Sequence, residues 1–267
     1  MDNSQYYKFT MTPTTAGTGK QLTITNTKDV NNFVYPSLYS LANLSFNTVY
    51  PFSTSGLLSW YDVNDSTTVT MSGSFIQNIN DKYGSYKLTD LVPSSIIVTE
   101  LGKNFYRNSL TASVVASASA LISTHNTMYN AATYFVVMRF ASLSYSVIPI
   151  TFLDTGGTNN YRWYPTGVNT INANAQSAVM ASWTIQLSKW YVYEYEYTND
   201  GNNVRARIFN NDPDTTYHSA TGQPAFPAIK FAFGNNVDIG EVVYYNSALT
   251  STNSNTVCNY LKNKWCI

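Results

Sequence analysis

The chain predicts an all-β sandwich of two antiparallel sheets closed by a short C-terminal helix. Three observations predict it. Tyr and Thr, both strand-favouring, are abundant, with 22 Tyr in 267 residues. Asn, Ser and Gly clusters recur every 8–15 residues or so between apolar runs, the spacing of a sandwich. The last 17 residues alone carry a helical period.

In order, alternating or β-rich segments fall near 57–61, 67–71, 73–79, 96–101, 133–140, 145–153, 161–164, 179–186, 190–198, 203–209, 228–234 and 238–245. The stretch 109–123 is rich in Ala, Ser and Val, and periodicity leaves it open between a helix and a tightly packed strand pair. After the last strand, Thr250 or Ser251 can cap a helix in which Val257, Tyr260, Leu261 and Lys264 share a face. Residues 1–50 differ: a turn-rich run at 10–19, one alternating strand at Gln21–Thr25, then aromatic segments. They are expected to be an extension of the 51–267 domain, either extra strands or an arm that docks on a neighbour.

Two blocks resemble the concanavalin A-like (laminin G-like) jelly-roll superfamily. The first is Trp60-Tyr61-Asp62, Asp65-Ser66, then Asn80-Asp81-Lys82-Tyr83-Gly84. Ile79 and Tyr83 stand where that family often has Trp and Ser. The second is Ile239-Gly240-Glu241-Val242-Val243-Tyr244-Tyr245-Asn246 with Tyr260-Leu261 and Lys264-Trp265. The resemblance implies a jelly roll whose first and last strands meet, with Trp60, Asp62, Asp65, Asp81, Gly84, Gly240, Glu241 and Trp265 as fold-defining residues. The three aspartates are expected to bond backbone groups in turns. The fold itself leaves function open, since it carries lectins, enzymes, adhesion modules and virion proteins.

Charged residues make up 11% of the chain, against about 25% in soluble proteins generally. Fifteen basic and fifteen acidic residues cancel, and no Lys/Arg cluster exists, so the electrostatic footprint of a nucleic-acid binder is missing. Neutral polar surfaces suit sugars or neighbouring subunits; a genome biased toward Asn and Tyr codons explains the composition equally. Near-zero charge does little to oppose self-association. The start of the chain lacks a basic-then-apolar leader pattern, and no run of 18 apolar residues occurs, so membrane insertion is not expected. Cys258 and Cys266 would lie about 12 Å apart along one helix, beyond disulfide reach. The expectation is synthesis in the cytoplasm without a signal peptide, ending in a virion or other particle.

Candidate sites are few. In Tyr191-Val192-Tyr193-Glu194-Tyr195-Glu196-Tyr197 the two glutamates share a strand face, a pattern partly like the acidic strand of jelly-roll glucanases. A hairpin closed on Asp200-Gly201 sets Glu196 opposite Arg205 and Glu194 opposite Arg207. Such pairing favours structure over catalysis and is expected to hold the carboxylate pKa values low. His125 and His218 lack ligand spacing, so no metal is expected. Asp212-Pro213-Asp214 and Asp154 with Asn159 leave a small opening for calcium, with no other cofactor. Tyr161 and Trp163, with Tyr164 beside them, are the aromatic candidates for a glycan or protein interface.

From these the expected function is a non-enzymatic module of a virus or phage particle, partnered by other subunits. One alternative is a carbohydrate-binding, lectin-like attachment domain; the second is a glycan-cleaving enzyme. An enzyme needs Glu194 and Glu196 unpaired in an open groove. A lectin needs an exposed aromatic platform. A particle protein needs a large contact surface and an N-terminal arm.

Overall fold

The computed structural model describes residues 17–24, 27–28, 34–35, 39–46, 50–90, 95–108, 121–123, 125, 129, 131–141, 150–153, 159–175, 178–198, 204–209, 218–220, 230–233 and 237–267. Contacts divide the chain into two units, Met1–Pro51 and Phe52–Ile267. The first contains β1 (Gly17–Ile24), β2 (Thr27–Lys28), β3 (Val34–Tyr35) and β4 (Tyr39–Phe46). There β1 pairs antiparallel with β4, and β2 with β3. The choice between extra strands and a docking arm lies outside the described residues.

The second unit opens with β5 (Leu57–Asp62), a 3-10 turn at Ser66–Thr68, β6 (Val69–Ser72), β7 (Phe75–Asn80), β8 (Lys87–Asp90), β9 (Ser95–Glu100), β10 (Lys103–Asn108) and β11 (Leu121–Ser123). It continues with β12 (Ala131–Phe140), β13 (Ile150–Leu153), β14 (Asn159–Pro165), β15 (Thr170–Ala175) and β16 (Ala178–Thr184). It ends with β17 (Tyr191–Thr198), β18 (Val204–Phe209), β19 (His218–Ala220), β20 (Lys230–Phe233), β21 (Val237–Tyr245) and the helix α1 (Ser251–Trp265). No helix among the described residues is long and apolar enough to cross a membrane.

Two antiparallel sheets form this unit. One runs β19-β18-β17-β12-β21-β10-β9, with β5 also on β21; the other runs β16-β15-β14-β13-β20-β11-β8-β7-β6. They share one core. From the first sheet come Tyr134, Val136, Met138, Tyr193, Tyr195, Val242 and Tyr244; from the second, Ile76, Leu88, Trp163, Ile171 and Trp183. The Trp163 and Tyr193 rings meet edge to face across the layers, 5.1 Å between centroids.

The first sheet is buried on both faces, which explains its unbroken burial along β12 and β21. Alternation in β17 sends Tyr191, Tyr193, Tyr195 and Tyr197 into the intersheet core. The opposite face, with Glu194 and Glu196, lies under α1 and the segment before it. Thr250 caps α1, its hydroxyl accepting the Asn253 N–H at 3.3 Å. Val257, Cys258, Leu261 and Trp265 are the buried stripe of the helix. Cys258 is buried and Cys266 exposed, both as thiols.

The candidate functional site

The motif residues from the two ends of the domain converge on one carboxylate. The β5–β21 register sets Asp62 directly opposite Glu241. Two buried acids side by side repel, and Lys264 of α1 relieves this by bridging both, at 2.7 Å to each. Lys82 adds a second contact to Asp62 at 3.1 Å. Glu241 also accepts the indole N–H of Trp60 at 2.6 Å and that of Trp265 at 2.9 Å. Burial raises the Glu241 pKa above the ordinary value, the Asp62 charge raises it further, and Lys264 opposes both. Between Val137 and Met138 of β12 the ladder skips Gly240, a bulge. A Cβ at Gly240 would stand 2.3 Å from the Trp265 ring, so the missing side chain is the seat of that indole.

The turn aspartates sit as supports. Asp81 accepts the backbone N–H groups of Trp60 and Tyr83, both at 2.8 Å. Asp65 accepts the Thr67 N–H at 3.1 Å and caps the 3-10 turn. Gly84 leaves room for Asp81 and the Leu58 carbonyl, which a Cβ would approach to 2.8 and 3.1 Å.

Glu194 and Glu196 occupy a closed seam. Register places Glu194 against Arg207 and Glu196 against Arg205. Arg207 Nε donates to Glu194 at 2.5 Å, and the Ser254 hydroxyl donates to it at 2.7 Å. Arg205 pairs with Glu196, which also accepts the Leu249 N–H at 3.1 Å. The expectation that pairing keeps both pKa values low is corrected at Glu196. Burial outweighs Arg205 there and raises its pKa. What bars these carboxylates from general acid–base work is access: both are buried beneath the C-terminal segment.

Trp163 and Tyr164 do not share an aromatic platform. Trp163 is 1% exposed, packed among Trp183, Tyr193 and Tyr195. Its assignment to a glycan or protein interface is therefore corrected: the inward side of β14 belongs to the core. Tyr164 is half-buried on the opposite strand face. The side chain of Tyr161 lies outside the described residues, as do those of Asn159 and His218 and the whole of Asp154, Asp212 and Asp214. His125 stacks on Tyr86 at 4.0 Å, and burial lowers its pKa to about 3. Among the described residues no group of three His, Cys, Asp or Glu side chains is placed to hold a metal.

An open cleft of about 470 Å³ lies instead at the end of the first sheet, where the β9–β10 turn, the segment before β17 and the end of α1 meet. Trp190 is its central aromatic, half-buried, 5.1 Å from Trp265 and 5.2 Å from Phe105 between centroids. The Arg139 guanidinium lies over both Phe105 and Trp190, at 4.7 and 4.9 Å. Leu101 projects from the rim, 96% exposed. Three non-glycine residues among those described have positive φ: Leu101 (49°), Ser188 (62°) and Cys266 (55°). All three line this cleft. Each such conformation costs about 1–2 kcal/mol in an L-residue, and strain of this kind gathers at functional sites.

Sequence reasoning did not find this cleft. Its walls come from residues near 100, 139, 188 and 265, and only Trp265 belongs to a recognisable motif. A lone Trp190 at a strand start gave no pattern.

No family model matches the chain, and no curated protein does. Solved structures do. Trypanosoma rangeli sialidase in complex with sialic acid is 13% identical, with a TM-score of 0.50 over 80% of this chain and 34% of that one. Domain 4 of AbnA, a GH43 extracellular arabinanase from Geobacillus stearothermophilus, in complex with arabinotriose, is 14% identical. Its TM-score is 0.50 over 76% of this chain and 98% of that domain. The chain thus spans about a third of the sialidase and nearly all of the arabinanase domain. At these identities the likeness concerns the fold. The expectation of a virus- or phage-particle structural module is corrected here: the two similar structures just described are a sialidase and a domain of an arabinanase, and neither is named as a particle component.

Proposed function

We propose that the chain is a non-catalytic carbohydrate-binding domain of concanavalin A-like jelly-roll architecture, and that the Trp190 cleft is its sugar site. The observation that carries this reading is the cleft itself. A half-exposed indole is backed by Trp265 and Phe105, flanked by charged side chains, and framed by three strained backbone positions. An indole face gives the apolar side of a sugar ring a flat contact, while flanking polar groups bond its hydroxyls. The arabinotriose complex of the similar arabinanase domain supports a sugar ligand on this fold. A glycan-cleaving reading has no candidate acid pair in the cleft, because Glu194 and Glu196 lie in the sealed seam.

Calorimetric titration with soluble oligosaccharides tests the proposal. Trp190→Ala is expected to weaken binding about 30-fold, the effect of losing a central aromatic contact. Tyr164→Ala is expected to leave it unchanged. Binding that survives Trp190→Ala in a protein with normal melting behaviour places the site elsewhere. Release of reducing sugar by the wild-type chain makes it an enzyme.

A further inference from the structure

Lys103, Arg139 and Glu100 all line the cleft. Arg139 is fixed from behind: its Nε donates to Asp238 at 2.8 Å, and Asp238 also takes Arg107 through two contacts of 2.7 Å. This leaves the terminal N–H groups of Arg139 aimed at the cleft, where they hold Glu100 at 3.1 and 2.5 Å. The Glu100 side chain is 48% exposed, so a solvent-facing carboxylate occupies the one rigid cation of the site. Lys103 stands directly across the two-residue turn from Glu100 in the β9–β10 ladder. Among the described residues no carboxylate pairs with Lys103.

Resting on the sugar-binding reading above, we infer that the ligand is a carboxylate-bearing sugar, of the uronic or nonulosonic acid class. Its carboxylate binds Lys103 and the terminal N–H groups of Arg139, in competition with Glu100, while a ring face lies on Trp190. A planar guanidinium already pre-oriented by Asp238 matches a carboxylate through two parallel bonds. Glu100 then acts as an internal occupant of that position: it satisfies Arg139 in the empty site and yields to the ligand.

The test is titration of the full chain with a sialylated trisaccharide, trigalacturonate and neutral arabinotriose, at low and high salt. One or both acidic sugars are expected to bind about 5–50-fold more tightly than the neutral one, the range of a charge-assisted pair. The preference is expected to shrink as salt rises. Lys103→Gln is expected to weaken the acidic sugar about 3–10-fold and to reduce its preference over arabinotriose. Glu100→Gln is expected to strengthen it, because repulsion is removed while Asp238 still orients Arg139. Equal binding of neutral and acidic sugars, or indifference to Lys103→Gln, overturns the acidic class and leaves sugar binding intact. Binding of no sugar at all overturns both. Competition by acetate at the same concentration as the sugar reduces the site to a non-selective anion contact and also overturns the inference.

Discussion

Trp265 lies on Gly240 with no space between them: a Cβ on the glycine would reach to 2.3 Å from the indole ring. One face of this tryptophan thus closes the bulge in β21, its N–H reaches Glu241, and its ring meets Trp190 at a tilt in the cleft. The end of the helix is therefore both a fold-closing wedge and part of the proposed sugar site.

Gly240→Ala is expected to lower stability by about 2–4 kcal/mol, because the rigid indole of Trp265 stands where the Cβ would go. Trp265→Ala creates a cavity and costs about 3–5 kcal/mol on its own. The double variant is expected to cost less than the two added together, since alanine at 240 then has room. Urea denaturation of the three variants measures this. Full additivity means that the close approach does not matter.

Glu194→Gln is expected to destabilise the protein by about 3–5 kcal/mol, because Arg207 is left as a buried charge with a neutral partner. Sugar binding at the cleft is expected to be unaffected. No glycan-cleaving activity is expected in the wild type for this change to remove. A glycosidase activity abolished by Glu194→Gln in a folded protein would show that the seam opens.

Stability is expected to peak on the acidic side of neutral. Burial raises the pKa of Glu196, Glu241 and Asp81 in the folded state. In the window between the unfolded and the folded values, these groups hold protons more often in the native protein than in the unfolded chain. Their contribution is full below the unfolded value of about 4.3 for Glu and 3.9 for Asp, and is lost as pH rises through the folded values. Asp65 and Glu100 work the other way. Lys82 bonds to Asp65 and Arg139 bonds to Glu100, and both carboxylates sit below their ordinary range. That stability is lost only as pH falls below the usual carboxylate range. Thermal melts between pH 4.5 and 7.5 are thus expected to rise toward the lower end. Glu241→Gln is expected to flatten the slope. A wild-type melting temperature that falls steadily from pH 7 to pH 5 contradicts this.

Much of the sheet architecture was legible because its signals are local. The alternation in Tyr191–Thr198 and Val237–Tyr245 has period two, and the turn signal at 199–202 in the sequence predicts the register found for Glu194 and Glu196. In the second unit, strands β8, β10, β15 and β19 escaped notice. Lys103–Asn108 and Thr170–Ala175 carry several Asn and Ala, which disfavour strands on their own and are held there by neighbours on both sides. Trp163 misled for a related reason. An aromatic strand face reads the same whether it meets solvent or a second sheet, and only the partner layer decides. The cleft was invisible because four distant segments build it, and none carries a local period.

Leu101 offers the sharpest separation of stability from function. It occupies the first position of a two-residue hairpin turn, with φ of 49° followed by 72° at Gly102, the left-handed pair of a type I′ turn. Asn or Gly is the residue that such a position favours, and leucine there is strained. At 96% exposure its side chain gains almost nothing from packing in return. Leu101→Asn is therefore expected to stabilise the protein by about 0.5–1 kcal/mol. If the leucine is there to cover a bound sugar from the rim, the same change is expected to weaken binding about 3–10-fold, the effect of losing one exposed apolar contact. Denaturation and titration on the one variant read both effects. A variant that is more stable and binds equally well removes Leu101 from the site, and one that is less stable shows that the turn is held by something other than its local conformation.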